Sequence, residues 1–111
     1  MLNFQSLEPL PTLTERQAEL LLFIGQHFAV HRQCPPPAAL RAYLAVGDRT
    51  NTEPYLRPLL GRGYLERTGR YTTRMYKLTA LAIDLLERML RDKEGTYDEL
   101  QQLIQTVRSA Q

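Results

Sequence analysis

The chain has 111 residues, 43% hydrophobic and 23% charged, with a single cysteine, Cys34, and a net charge of +2. These proportions fit one globular domain and exclude a wholly disordered chain, a fibrous repeat and a disulfide scaffold. An apolar run such as Leu20–Ile24 is far too short to span a membrane. Met1-Leu2-Asn3-Phe4 has no basic start followed by an apolar stretch, so no signal peptide and a cytoplasmic setting are expected.

Taken in chain order, residues 1–12 contain Pro9 and Pro11, show no periodicity and read as an N-terminal arm. A first helix opens at Thr14, with Gln17 three residues on to complete a capping box. Leu20, Leu21, Ile24 and Phe28 share one face of it, widened by Leu22 and Phe23, which predicts a helix central to the core. The prolines 35–37 interrupt the chain, and the third is suited to start a second helix with a Leu40, Tyr43, Leu44 stripe. Ala45-Val46-Gly47-Asp48 reads as a turn. A third helix is expected from about Asn51, capped by Thr50 or Asn51 and buried through Tyr55, Leu56, Leu59 and Leu60. Pro58 removes a bond to the carbonyl of residue 54, so this helix should be kinked or short, and Gly61 and Gly63 end it.

Residues 64–68 and 74–78 read as paired strands around a polar turn at 69–73. Thr79 then caps a fourth helix with a stripe of Leu81, Leu85, Leu86, Met89 and Leu90. Thr96 and Glu99 read as a second capping box, opening a last helix with Leu100, Leu103, Ile104 and Val107.

Charge is distributed unevenly along these elements. Residues 41–77 carry eight basic side chains against three acidic, a net +5, and seven of the eight are arginine. The flanking segments 1–40 and 78–111 are net −1 and −2. A concentrated run of arginine, with its planar fork of donors, is the footprint expected of a nucleic-acid reader. Two short helices with a tight turn, followed by a basic hairpin, match a helix-turn-helix with a wing. The expected fold is thus mainly α with a β-hairpin wing: residues 13–78 as a winged helix-turn-helix, and 79–111 as C-terminal dimerisation helices.

The residues carry a resemblance as well. Leu13-Thr14-Glu15-Arg16-Gln17, followed by Glu19, Phe23, Ile24 and His27, resembles the first helix of LexA-type repressor DNA-binding domains. Pro35-Pro36 resembles that family's loop into helix two, and Leu56, Leu59, Gly63-Tyr64-Leu65 and Arg67 its passage from recognition helix to wing. The resemblance covers about residues 12–78. Tyr76, Leu78 and Thr79 leading into a leucine-rich helix look more like MarR- or PadR-type regulators, in which the helix after the wing builds the dimer. Ala45 stands where the LexA-type pattern has glycine, Pro54 and Pro58 depart from it, and the 33 residues after Leu78 are too few for that family's protease domain.

The resemblance implies double-stranded DNA as partner and a homodimeric transcriptional repressor. With helix three in the major groove, Arg49, Thr50, Asn51, Thr52, Glu53, Tyr55 and Arg57 are the candidate contacts. Asn51 suits adenine, Arg49 or Arg57 guanine, and Glu53 the cytosine amino group. Thr50 and Thr52 suit phosphate. Arg70, Thr72 and Thr73, supported by Arg67 and Arg74, would reach flanking backbone or minor groove. Leu81, Leu85, Met89, Leu100, Leu103, Ile104 and Val107 are the candidate dimer contacts, the competing outcome being that the last helices fold back on their own domain. A symmetric dimer predicts a palindromic site with half-sites about 34 Å apart.

His27, His31 and Cys34 have a spacing that zinc can use, but a fourth ligand is not evident. Cys34 as a redox sensor competes with a buried structural thiol. No phosphate loop, nucleophile elbow or HExxH motif is present, so neither an enzyme nor a cofactor is expected. The alternatives to a repressor are a winged-helix module that binds protein, and a DNA-binding accessory of replication or recombination on a mobile element. A small-molecule effector is left open.

Overall fold

In the computed structural model, residues 13–68, 76–91 and 97–110 are described. They form five α-helices and two short strands: α1 (Glu15–His31), α2 (Pro37–Leu44), α3 (Glu53–Gly61), β1 (Leu65–Arg67), β2 (Tyr76–Leu78), α4 (Ala80–Leu90) and α5 (Asp98–Ser109). No described helix is long and apolar enough to cross a membrane.

Helix α1 starts where its capping box dictates. The Thr14 hydroxyl accepts from the Gln17 N–H at 3.1 Å, and the Gln17 side chain accepts from the Thr14 N–H at 3.0 Å. It ends at Arg32, whose left-handed backbone (φ 61°) turns its N–H onto the Phe28 carbonyl. Between these points α1 buries Leu20, Leu21, Leu22, Ile24, Gly25 and Ala29, which makes it the centre of the core. Helices α4 and α5 pack on it. The close approach is set by Gly25: a Cβ there would lie 3.0 Å from Leu86 Cδ1 and 3.3 Å from the methyls of Leu100.

Helix α2 begins at Pro37 as its fixed φ allows, and buries only Leu40. Ala45, the residue in place of the expected glycine, takes a left-handed conformation (φ 60°, ψ 44°) to close it. The next amide, Val46 N–H, donates back to the Arg41 carbonyl at 3.1 Å, the longer bond of a Schellman turn. Gly63 (φ 84°) closes α3 in the same way, with Tyr64 N–H donating to Leu59 at 2.9 Å.

The strands pair antiparallel in the register Leu65↔Leu78, Glu66↔Lys77, Arg67↔Tyr76, and Thr79 N–H extends the ladder to the Tyr64 carbonyl. The first is shorter than the expected 64–68; of the expected second strand 76–78 is described, while residues 74–75 and the polar turn 69–73 lie outside the described residues. Thr79 caps α4 as expected, accepting from Ala82 N–H at 3.2 Å and donating to the Gly63 carbonyl at 2.6 Å. One hydroxyl thereby fastens α4 to the turn that ends α3.

Two expectations are corrected at α5. The helix does not start from a described Thr96–Glu99 capping box: its N-cap is Tyr97, left-handed at φ 59°, and the Glu99 carboxylate instead accepts from Gln26 Nε2 of α1 at 2.9 Å. Thr96 itself lies outside the described residues. Leu100 and Ile104, expected at a dimer surface, are buried inside the protomer, Leu100 completely, because the amphipathic face of α5 lies back on α1. The far end of α5 is held to α4 by Arg108, which bonds both Asp84 (2.5 Å) and Glu87 (2.7 Å).

Candidate nucleic-acid interface

The corner between α2 and α3 is built by short local bonds. Thr50 N–H donates to the Gly47 carbonyl at 3.1 Å, closing a turn that leaves Asp48 and Arg49 exposed. Asn51 Oδ1 accepts from Glu53 N–H at 3.1 Å. This Asx turn occupies the oxygen before the helix opens, and α3 therefore starts at Glu53, two residues later than its expected start. Thr52 is its N-cap, without a side-chain cap bond, and Pro54 sits in the first turn, where a missing N–H is harmless. Pro58 sits inside the helix, which is nine residues long, consistent with the short helix expected from that proline.

The expected contact residues divide into three groups. Arg49, Asn51, Tyr55 and Arg57 are exposed. Thr50 is half-buried, and Thr52 is buried at 7% exposure. Glu53 and Arg67 bind each other: Arg67 Nη2 meets Glu53 Oε1 at 2.5 Å. The expected cytosine reader is thereby engaged by the expected wing support. The pair ties the first turn of α3 to β1, and a carboxylate at a helix N-terminus is favoured by the helix dipole as well. Arg70, Thr72, Thr73 and Arg74 lie outside the described residues.

From α2 to α3 the chain carries Arg41, Arg49 and Arg57 against Asp48 and Glu53, and Glu53 is engaged by Arg67. Arg41, Arg49 and Arg57 make no ion pair among the described residues, whereas Lys77 faces Glu66 across the strands at 3.8 Å. Arg41 was not among the expected contacts. Its membership of the basic segment 41–77 was the available signal. Behind the corner, Tyr76 is 4% exposed and its hydroxyl has no hydrogen-bond partner. Burial raises its pKa well above the ordinary tyrosine value, Cys34 and Glu53 add to the rise, and Arg67 opposes it. The hydroxyl is therefore neutral and structural.

The histidines are locally engaged. His27 Nδ1 donates to the Gln33 carbonyl at 3.2 Å, and its ring lies 4.3 Å from that of His31. Among the described residues no cluster of three His, Cys, Asp or Glu side chains is placed to hold a metal.

Comparison of the chain with family models, with curated proteins and with solved structures returns no match.

Proposed function

We propose that this chain is a winged helix-turn-helix regulator that reads double-stranded DNA as a homodimer, most simply a transcriptional repressor. The observation that carries the reading is the corner itself. Arg41 of α2, Arg49 of the α2–α3 turn and Arg57 of α3 make no ion pair among the described residues, and α3 is tied to the strand pair by Glu53–Arg67. The order helix, turn, helix, antiparallel strands supports the same reading.

In this proposal α3 enters the major groove. Arg49 and Arg57 are the base or phosphate contacts, and Asn51 retains its amide nitrogen as a donor. Glu53 positions the helix rather than reading a base. The dimer forms through the exposed Leu81 and the half-buried Leu85, Met89, Leu103 and Val107, since Leu100 and Ile104 serve the protomer core.

The test is selection of bound duplexes from randomised DNA at two salt concentrations, with mass measured by light scattering. A palindromic motif whose affinity falls steeply with salt is expected, because neutralised phosphates release counterions. A salt-insensitive association with no motif would refute it and favour a protein partner at the same corner.

A further inference from the structure

A cavity on the side of α1 that faces α2 and the start of α5 has a different chemistry from the basic corner. Its volume is about 380 Å³, within the usual size of small-molecule sites, roughly 300–1,000 Å³. Glu15, Glu19, Phe23 and Gln26 of α1 line it, with Tyr43 of α2 and Tyr97 at the head of α5. Among the described residues no lysine or arginine does.

Three features of this lining point the same way. Phe23 and Tyr43 are stacked, with ring centroids 4.4 Å apart and planes 14° from parallel. Their faces and that of Tyr97 carry the negative end of the ring quadrupole, which attracts a cation. Gln26 turns its amide nitrogen to Glu99, and its Oε1 is buried with no hydrogen-bond partner. A buried acceptor left unmatched is costly, and a ligand N–H would relieve it. Tyr97 is held in a left-handed backbone conformation at the edge of the cavity, a strained geometry that tends to mark binding sites. The local field agrees: the Tyr43 hydroxyl pKa is raised, first by burial and then by Glu19 and Tyr97, against a smaller opposing effect of Arg16.

We propose that this cavity binds an organic cation with an apolar body, a primary or secondary alkyl- or arylammonium. Its charge lies between Glu15, Glu19 and the aromatic faces, its body covers Phe23 and Tyr43, and its N–H donates to Gln26 Oε1 when that buried oxygen turns into the cavity. An anion would meet two carboxylates, opposed among the described residues by the weaker effect of Arg16. The cavity borders the proposed dimer surface through Met89, which also lines it, and is tested without DNA.

The probe is 2-phenylethylammonium, titrated calorimetrically and by tyrosine fluorescence into the full chain, beside 2-phenylethanol and 3-phenylpropionate. Saturable binding of the ammonium is expected, at least about tenfold tighter than either comparison compound. Glu19→Gln and Tyr43→Ala should each weaken it by about 2- to 30-fold, the range of a cation–π or single-charge contribution. Both positions are exposed, so unchanged circular dichroism should accompany the loss. Absence of saturable binding, equal binding of all three compounds, or full binding by both variants would overturn the proposal.

Discussion

The two halves of the molecule are held together by different physics. In the α1–α4–α5 bundle, α1 buries six residues and α4 another four, and the contacts are aliphatic and non-directional. In the corner of α2, α3 and the strands, α2 buries Leu40 alone and α3 only Leu56 and Leu59. Tyr64, Leu65 and Tyr76 bury beside them in the same core, and individual directed bonds fix orientation there: Asn51 to Glu53, Glu53 to Arg67, Thr79 to Gly63. Burial scales with area and resists substitution cooperatively, whereas a directed bond at the surface contributes little to stability but fixes orientation. The half that carries the arginines can therefore vary its surface at small cost, while the bundle keeps the fold.

That contrast can be broken from either side. The largest effect belongs to the bundle: Leu21→Ala or Leu86→Ala, both at fully buried positions, should cost about 2–5 kcal/mol in chemical denaturation. Next is the corner's proposed function. Arg49→Ala and Arg57→Ala should each lose about 1–3 kcal/mol of affinity for a selected duplex while leaving the melting temperature unchanged. Equal losses of stability and affinity would contradict the division. Thr14→Ala removes the hydroxyl of the α1 capping box and should cost about 1 kcal/mol, read by urea titration.

Ala45→Gly should act in the opposite direction, stabilising by up to about 1 kcal/mol, because glycine takes the left-handed conformation without the Cβ penalty. The smallest effect is expected at Glu53→Gln. Loss of a half-exposed ion pair should change stability by less than about 1 kcal/mol. The same variant should nevertheless broaden the sequence preference of any selected DNA, because α3 loses its tie to β1.

What could be read from the sequence follows from the range of each interaction. The caps at Thr14 and Thr79, the proline start of α2 and the glycine end of α3 were legible because each bond joins residues a few positions apart. The strand pair was legible through its β-formers, although the length of β1 was overestimated. One failure is local, the late start of α3 behind the Asn51–Glu53 turn; the others are long-range. Glu99 matched a capping box in its local sequence, but Gln26 of α1 claims its carboxylate, and nothing near residue 99 signals that competition. Glu53 and Arg67 each looked like a contact residue in isolation, and only the fold brings them together. The apolar stripe of α5 was visible, but periodicity states that a face is covered without stating by what; here α1 covers Leu100 and Ile104. Arg41, Arg49 and Arg57, the arginines without an ion pair among the described residues that the proposal uses, all come from the one basic segment.

Gly25 imposes a mechanical constraint on the bundle. Leu86 of α4 and Leu100 of α5 both rest on this one point of α1, where a missing side chain leaves room for them. Any sliding of α5 along α1 would lift Leu100 from that seat and unload Leu86 with it. The two C-terminal helices thus share one seat on α1 while also packing on each other, and Arg108 clamps them again at the far end.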